Sequence, residues 1–334
     1  MEKVIAEAMN DDIIRQAAKE YNVAFEDIKR LGGFENFIYE YILDGEEYVL
    51  RFVHSHHRSF ELVYAELEFI DYLAHNGANV STVVHTIDNQ LLFKVPASDG
   101  HYFSVCVFTK AKGTYVKRED ITAEFLEGFG QAVGRLHRLT KSYSPTHKRY
   151  HFFEEDYIEI GERNLNKNHQ FVIDHARDIT EKIKRYERDT DSYGLIHTDL
   201  HFGNMYYDGQ VLTFFDFDDA SYKHFISDIA IIIFYTYGMG PLSDKEIEDK
   251  TITLLQGFMK GYNKENQLDI KWFKRLNDFL MLRQIILFMV IHAAGEEMVE
   301  GPWGKRFIKK YETRIKENTP FFDVERVVKA AWNI

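Results

Sequence analysis

The sequence changes character near residue 110, and this change constrains the fold more than any other feature. Before it, short runs of β-branched and aromatic residues alternate with turn signals such as Asp44-Gly45. Such runs predict strands, and an Asp-Gly pair between two of them predicts a hairpin. After it, apolar residues recur at helical spacing over long segments. We therefore expect an α+β protein in which a small antiparallel sheet precedes a larger, mainly helical part.

The first part is predicted to hold five antiparallel strands with one helix packed on them. Ser59 is expected to cap this helix, because its side chain can accept a hydrogen bond from the first turn. Asn76-Gly77 is expected to end it, because both residues tolerate the left-handed conformation after a last turn. The predicted strands cover residues 36–43, 46–54, 83–87, 91–95 and 102–108, and an amphipathic helix over 11–22 precedes them.

The second part is predicted to be helical apart from one hairpin. Gly130 and Gly134 lie about one turn apart in a long helix and allow a neighbouring helix to approach closely. The hairpin is expected at residues 205–207 and 211–215, around the turn Asp208-Gly209.

The charge and the cysteine count exclude several classes of function. The chain has 53 acidic and 41 basic residues and a net charge of −12, so that it would repel nucleic acid and anionic membrane surfaces. Cys106 is the only cysteine, which excludes a disulfide framework and a zinc site made of cysteines. We expect no nucleic-acid partner. The acidic first residues lack a long apolar run and predict a cytoplasmic protein.

One stretch, residues 279–295, is apolar enough to raise the question of a membrane. It contains Arg283, Gln284 and His292 and is shorter than the ~20 apolar residues that usually span a bilayer. We therefore expect a buried helix of a soluble protein and no membrane partner.

Polar residues flank the predicted hairpin on both sides. Asp199 and Asn204 precede it, within Gly194-Leu-Ile-His-Thr-Asp-Leu-His-Phe-Gly-Asn204, and Asp216 and Asp218 follow it. Since a hairpin brings its two ends together, the first two side chains are expected to face the last two. Their apolar surroundings predict burial, and buried acids without partners or a metal are costly. A functional site is therefore a better interpretation than a solvated turn.

This set of side chains suits phosphoryl transfer. The reaction needs a divalent cation to neutralise charge on the phosphates and an acceptor hydroxyl held in line. Amide and carboxylate oxygens bind Mg²⁺, and a separate carboxylate can accept the proton of the hydroxyl. A second interpretation stays open, in which a transition metal in a hydrolase is held by His197, Asp199, His201, Asp216 and Asp218.

The spacing of these residues resembles the signature of the aminoglycoside phosphotransferase and choline kinase superfamily, whose members share the protein-kinase fold. The similarity lies in His197-x-Asp199-x-x-x-x-Asn204, the hairpin, Asp216-Phe-Asp218 and Ser227-Asp-Ile-Ala230. It implies a bilobal fold with a nucleotide-binding N-lobe, a hinge, and a C-lobe that carries the catalytic loop, the metal and the acceptor site. These parts would be residues 1–108, 109–113 and 114–334.

The resemblance assigns roles to the polar residues of the C-lobe. Asp199 would be the catalytic base that positions or deprotonates the acceptor hydroxyl, and Asn204 and Asp216 would bind Mg²⁺. Asp218 matches a position that is often acidic, and it is assigned to a second metal or to the acceptor site. Two further polar residues would brace the loop, His197 and Asp228.

In the N-lobe, the resemblance places the phosphates under a loop that contains Gly32 and Gly33. Arg51 stands where the family often has lysine, and an arginine can hold phosphate through two hydrogen bonds. Glu66 is the expected partner of Arg51, with Glu68 as the alternative.

The adenine of the nucleotide would meet the N-lobe at the end of its last strand. The backbone from Phe108 to Lys110 would contact the adenine edge, and Ile38 and Val49 would line the pocket.

We therefore expect an ATP- and Mg²⁺-dependent kinase that moves the γ-phosphoryl group to a hydroxyl of a small molecule. Besides the hydrolase, a pseudokinase that only binds nucleotide is an alternative, favoured by the degenerate glycine loop and Arg51. A Ser/Thr protein kinase is a third, although only 12 positions separate Asp216 from Asp228, which is short for a peptide-docking segment.

The acceptor itself is left open by the sequence. Aminoglycosides, choline-like alcohols, homoserine and sugars all fit, because the helical part carries no motif that selects among them. The run Asp216-Phe-Asp-Asp219 is closer to homoserine-kinase-like and stress-kinase-like members than to antibiotic resistance enzymes.

Overall fold

A computed structural model describes residues 3–33 and 36–333 of the chain. Phe34 and Glu35, which belong to the predicted phosphate-covering loop, lie outside the described residues. The chain divides into two compact units. The first unit comprises the described residues up to Thr114, together with Tyr143–Arg149 and Met205–Asp218; the second comprises Tyr115–Ser142, Tyr150–Asn204 and the described residues from Asp219 onward. The division at 1–108, 109–113 and 114–334 stays a prediction.

The protein is 51% helical and 16% strand, so the predicted mixture of sheet and predominant helix is confirmed. The α-helices of the described residues are α1 Lys3–Ala8, α2 Asp11–Glu20, α3 Phe60–His75, α4 Ala123–Thr140, α5 Tyr157–Asn164, α6 Gln170–Lys184, α7 Ile226–Ile233, α8 Asp244–Tyr262, α9 Ile270–Phe273, α10 Leu276–Ala293, α11 Glu296–Glu300, α12 Pro302–Lys316 and α13 Val324–Trp332. The strands are β1 Lys29–Gly32, β2 Phe37–Leu43, β3 Glu46–His54, β4 Val83–Val84, β5 Phe93–Pro96, β6 Tyr102–Thr109, β7 Thr114–Tyr115, β8 Tyr193–Ile196, β9 Met205–Tyr207, β10 Leu212–Phe214 and β11 Ser221–His224.

The first unit is built on a six-stranded antiparallel sheet in the order β1-β2-β3-β6-β4, with β5 also paired to β6. The hairpin predicted between β2 and β3 is confirmed: Asp44 and Gly45 form its turn with φ angles of 54° and 84°. The sheet holds one strand more than the five predicted. The additional strand, β1, is mostly exposed, so no buried apolar alternation marks it in the sequence.

The two faces of this sheet differ in character. Tyr39 pairs with Leu50, whereas the adjacent pair joins Ile38 to Arg51, and successive residues of a strand point to opposite faces. The face that carries Tyr39 and Leu50 packs against α1 and α2 in a hydrophobic core. The opposite face therefore carries Ile38 and Arg51, and it is the face that bears the predicted nucleotide-binding residues.

The helix α3 begins and ends where the sequence predicts. The side-chain oxygen of Ser59 accepts a hydrogen bond from the N–H of Leu62 at 3.3 Å. At the other end, Gly77 has a φ of 82°, a left-handed conformation that favours glycine. Both predicted caps are therefore confirmed.

In the second unit, the helices α4 and α8 touch through their backbones. A Cβ atom on Gly130 would lie 1.8 Å from the carbonyl oxygen of Phe258, and one on Gly261 would lie 1.7 Å from that of Glu127. No side chain fits in such a space, so glycine is required at both positions. The predicted close approach at Gly130 is confirmed.

The apolar stretch forms α10. It is the one helix of the described residues whose length and composition would allow it to cross a membrane, and 61% of it is buried inside the structure. Such burial is common for the core helix of a soluble protein. The helix also carries Arg283.

Two features of the second unit were not predicted. The helix α7 continues into a π-helical turn, Phe234–Gly238, which the prediction of a helical second part does not include. The carbonyl of Gly238 accepts hydrogen bonds from Lys310 Nζ at 2.8 Å and Tyr311 Oη at 2.7 Å. These donors come from α12, too far along the chain for local patterns to reveal. The antiparallel pair β8–β11 was missed because its strands are short and have no turn between them.

Candidate functional site

The loop after β8 is held in place by residues of α4 and α7. Thr198 has a left-handed φ of 64°, and its N–H donates to Asp228 Oδ1 at 2.9 Å. The other oxygen of Asp228 bonds to His137 Nε2 at 3.1 Å, and His137 Nδ1 bonds to the hydroxyl of Tyr262 at 2.8 Å. Burial is nearly complete at both Asp228 and His137. This chain of contacts fixes the backbone immediately before Asp199.

Asp199 and Asn204 are brought together by the same loop. The amide nitrogen of Asn204 donates to the main-chain carbonyl of Asp199 and to Asp199 Oδ2, both at 3.0 Å. Since only the NH₂ group of an amide can donate, the amide oxygen of Asn204 is directed away from Asp199. His201 Nε2 lies 3.3 Å from the same Oδ2, and the buried His197 accepts from the N–H of Asp199 at 3.3 Å.

A residue that sequence reasoning did not assign completes this arrangement. Arg283 of α10 bonds through Nη2 to Asp199 Oδ1 and, at 2.5 Å, to the hydroxyl of Tyr235 in the π-helical turn. Burial raises the pKa of Asp199, but Arg283, His201 and His197 outweigh it and hold the pKa well below its usual range. The carboxylate is therefore ionised at neutral pH. The sequence does contain one sign of this role. Arg283 stands in a largely apolar helix, and a buried arginine is rare unless it has a partner.

Asp216 and Asp218 belong to the first unit, where they follow the predicted hairpin. The hairpin is confirmed, because β9 and β10 pair with Met205 opposite Phe214. Asp216 is exposed and has a left-handed φ of 65°. Whether Asp199 and Asn204 face these two acids stays a prediction.

Asp218 is buried and has its own basic partners in the first unit. His57 Nε2 lies 3.0 Å from Asp218 Oδ2, and Arg58 Nε lies 3.8 Å from the same atom. Burial raises the pKa of Asp218, but His57, Arg58 and Arg51 hold it well below its usual range. Oδ1 is buried without a hydrogen-bond partner among the described residues. The two oxygens of Asp218 therefore differ: Oδ2 has basic partners and Oδ1 has none among the described residues.

The histidines near the end of β3 point to different partners. His57 binds Asp218, whereas His54 lies 3.1 Å from Asp99. Within residues 3–33 and 36–333, no group of three or more His, Cys, Asp or Glu side chains could hold a metal ion. This finding gives no support to the hydrolase interpretation, which needs such a group.

Arg51 and Glu66 form the predicted ion pair. Arg51 Nη1 lies 2.9 Å from Glu66 Oε1, Nη2 lies 2.7 Å from Oε2, and both side chains are buried. Glu68, the alternative partner, instead accepts from the N–H groups of Thr146 and His147 at 3.0 and 3.2 Å. The structure therefore selects Glu66.

The predicted adenine-pocket residues share one face of the sheet. Ile38 pairs with Arg51 and Val49 pairs with Phe108, so all four side chains point the same way. The contact of the Phe108–Lys110 backbone with adenine stays a prediction, and the structure limits which groups of Lys110 could take part. Its N–H donates to the carbonyl of Glu47 at 2.9 Å, so this N–H is not available to adenine. Its side chain binds Glu40 and Glu47, both at 2.8 Å.

The backbone at Gly32 and Gly33 suits glycine alone. Their φ angles are 145° and 114°, and a Cβ on Gly33 would lie 1.8 Å from the carbonyl oxygen of Asn36. A side chain would therefore be excluded at Gly33 by conformation and by contact. Gly33 itself is exposed, and a role of this loop in covering phosphates stays a prediction.

Comparison with known proteins places the chain in a family. The sequence model of the phosphotransferase enzyme family matches residues 27–263. Amicoumacin kinase from Bacillus subtilis (strain 168) is 30% identical over 325 residues, which make up 95% of this chain and 96% of that protein.

Solved structures agree with this placement. An amicoumacin kinase, hAmiN, in complex with AMP-PNP, Ca²⁺ and Ami matches with a TM-score of 0.90 and 29% identity, over 98% of this chain and 100% of that one. A microcompartment-associated aminopropanol kinase shares the fold with a TM-score of 0.71 and 18% identity, over 92% and 99% of the two chains. A spectinomycin phosphotransferase also shares the fold, with a TM-score of 0.59 and 15% identity over 98% of this chain and 99% of that one. The chain therefore belongs to the phosphotransferase enzyme family and has its kinase-like fold.

Proposed function

We propose that this small-molecule kinase uses ATP and Mg²⁺ to phosphorylate a hydroxyl of amicoumacin or of a compound close to it. The observation that carries the proposal is the whole-length similarity to amicoumacin kinase, 30% identity over 95% of the chain. This similarity includes the helical part that selects the acceptor in such enzymes. The related structure, with a TM-score of 0.90, holds an ATP analogue, a divalent cation and Ami.

Asp199 is the carboxylate that receives the acceptor hydroxyl. Its ionised state and its fixed position in the loop support this role. The transition state of phosphoryl transfer is loose, so the enzyme contributes mainly by positioning and by stabilising charge. A held, anionic Asp199 orients the hydroxyl toward the phosphorus and takes its proton as the new bond forms.

We propose three residues as oxygen ligands of Mg²⁺, in line with the family resemblance. Asn204 has its amide oxygen directed away from Asp199, Asp216 has an exposed carboxylate, and Asp218 has a buried oxygen without a hydrogen-bond partner. Hard oxygen ligands of this kind suit Mg²⁺. The ion, when bound, neutralises charge on the transferred phosphate. Asp228 and His197 support the loop that presents Asn204.

The nucleotide lies against the sheet face that carries Arg51. Glu66 holds the Arg51 guanidinium through two hydrogen bonds, and Arg51 Nε is buried without a hydrogen-bond partner in the described part of the chain. Arg51 replaces the family's lysine as the phosphate-binding cation, while Gly32 and Gly33 give the phosphates access to backbone. Ile38, Val49 and Phe108 form the apolar wall for adenine.

A panel of acceptors tests the proposal. The purified protein is mixed with ATP, Mg²⁺ and either amicoumacin, aminopropanol, spectinomycin or no acceptor, and ADP release and product mass are measured. ADP that appears only with amicoumacin, together with a product heavier by one phosphoryl group, supports the proposal. Equal or faster reaction with aminopropanol or spectinomycin would contradict the acceptor. ADP release that no acceptor stimulates would likewise contradict amicoumacin as the acceptor.

A further inference from the structure

We infer that Arg283 is a positioning residue for the transfer, because it fixes the rotation of the Asp199 carboxylate while Tyr235 holds Arg283 in place. The inference rests on the proposed function, since it concerns the carboxylate that receives the acceptor hydroxyl. All the residues involved lie in the second unit.

The hydrogen bonds of Asp199 divide unevenly between its two oxygens. Oδ2 is contacted by Asn204 Nδ2 at 3.0 Å and His201 Nε2 at 3.3 Å, which together occupy its two lone pairs. Oδ1 is contacted by Arg283 Nη2, and one lone pair is left. The acceptor hydroxyl therefore bonds to Oδ1.

Without Arg283, the carboxylate would be held at one oxygen only. Asn204 and His201 both bind Oδ2, so the carboxylate could turn about that point and carry Oδ1 out of line. The contact from Arg283 is the one that fixes Oδ1. Because the transition state of phosphoryl transfer is loose and catalysis rests mainly on positioning, the orientation of this oxygen matters for the rate.

Arg283 is itself held from a second direction. Its Nη2 lies 2.5 Å from the hydroxyl of Tyr235, and its guanidinium carbon lies 5.0 Å from the centre of the Tyr235 ring. Tyr235 lies in the π-helical turn, whose last carbonyl, that of Gly238, is held by Lys310 and Tyr311. Such turns occur often at functional sites.

Packing alone does not explain an arginine at position 283, because burying its polar groups is unfavourable. It stands in the apolar helix α10, and its Nε is buried without a hydrogen-bond partner among the described residues. A buried donor without an acceptor destabilises the folded state. An apolar side chain would pack there without this cost, so the arginine is explained by what it does to Asp199.

Three variants and a matched control test the inference with amicoumacin as acceptor. In Arg283→Met, kcat should fall by up to about 10²-fold, the loss typical of a misplaced reacting group, while the KM for ATP stays within about twofold. Arg283→Lys should recover part of the loss, and Tyr235→Phe should show a smaller loss than Arg283→Met. Arg275→Met removes another arginine–carboxylate contact of this unit, to Glu187, and should leave kcat unchanged.

A double variant separates this inference from the proposed function. If Arg283 acts through Asp199, Asp199→Asn with Arg283→Met should be no slower than Asp199→Asn alone. An unchanged kcat in both Arg283→Met and Tyr235→Phe would overturn the inference and leave the role of Asp199 standing. The inference would also be overturned if Arg283→Met lowered kcat by the same factor in the unsubstituted protein and in Asp199→Asn. Full turnover of Asp199→Asn would remove Asp199 from its role, and the inference with it.

Discussion

Two arginine–carboxylate pairs, one in each unit, differ in how completely they use their own hydrogen-bonding groups. Arg51 and Glu66 bind through both oxygens of the glutamate, and their side chains are only 5% and 0% exposed. Arg283 reaches one oxygen of Asp199, and these side chains are 15% and 22% exposed. The first pair uses both glutamate oxygens and leaves only Arg51 Nε without a hydrogen-bond partner among the described residues, whereas the second leaves room for a further hydrogen bond at Asp199 Oδ1.

The difference indicates what each pair contributes. In a closed, buried pair each charge depends on the other, so removing one partner leaves an uncompensated buried charge that should destabilise the fold or displace the remaining side chain. An open pair orients a group that still has to react, so breaking it should slow turnover and leave folding and nucleotide binding nearly unchanged.

The largest effect is expected from removing the carboxylate of the open pair. Asp199→Ala should lower kcat by about 10²–10⁴-fold, the range for loss of a general base, while ATP with Mg²⁺ still raises the melting temperature. Initial-rate kinetics and thermal unfolding check the two parts. Turnover close to that of the unsubstituted protein would show that another group receives the hydroxyl.

A similarly large effect is expected on metal-dependent nucleotide binding when Asp216 is removed. Ligand at about 100 times its dissociation constant stabilises a protein by about 2.7 kcal/mol, and Asp216→Ala should lose most of the part that requires Mg²⁺. Isothermal titration with ATP, with and without Mg²⁺, measures this directly. If the Mg²⁺-dependent gain in affinity survives, Asp216 is not a metal ligand.

Removing the carboxylate of the closed pair should affect stability first. Glu66→Gln leaves the Arg51 charge buried without its partner, which typically costs about 3–5 kcal/mol. Urea unfolding gives the change. Glu47→Gln is the matched control, because Glu47 is an exposed partner of Lys110 and such pairs contribute about 0–1 kcal/mol. Equal effects of the two substitutions would contradict the distinction.

The smallest effect is expected from a third pair, on the surface of the second unit. A hydrogen bond from Arg275 lowers the pKa of Glu187 to about 2, compared with about 4.3 for an unperturbed glutamate. Because the folded pKa is the lower one, the pair stabilises the protein above about pH 4.3, and this contribution is lost as the pH falls toward 2. Arg275→Met should remove that part of the pH dependence without changing turnover. The melting temperatures of the unsubstituted protein and of Arg275→Met are measured across this pH range. If the two curves have the same pH dependence, the pair does not contribute in this way.

The same comparison shows which contacts the sequence reveals. The pairing of Arg51 with Glu66 could be predicted because a strand and the next helix lie close along the chain and the family resemblance names the positions. The pairing of Arg283 with Asp199 joins residues 84 positions apart. The apolar composition of the stretch correctly predicted a buried α10 but gives no direction for a polar side chain within it.

The sequence correctly predicted features that depend on only one or two neighbouring residues. The Ser59 cap, the Asp44-Gly45 turn and the close approach at Gly130 each follow from the conformational preferences of one or two residues. The π-helical turn depends on donors from α12, and the occupied N–H of Lys110 depends on Glu47 of a neighbouring strand. Such tertiary partners cannot be read from a local pattern.

The most direct test of the central claim follows the phosphoryl group itself. The protein is incubated with Mg²⁺ and ATP that carries a radiolabelled γ-phosphate, in the presence and absence of amicoumacin, and the labelled products are separated. We predict label on amicoumacin with the unsubstituted protein and almost none with Asp199→Ala. Label released only as inorganic phosphate, at a rate that amicoumacin does not change, would contradict it.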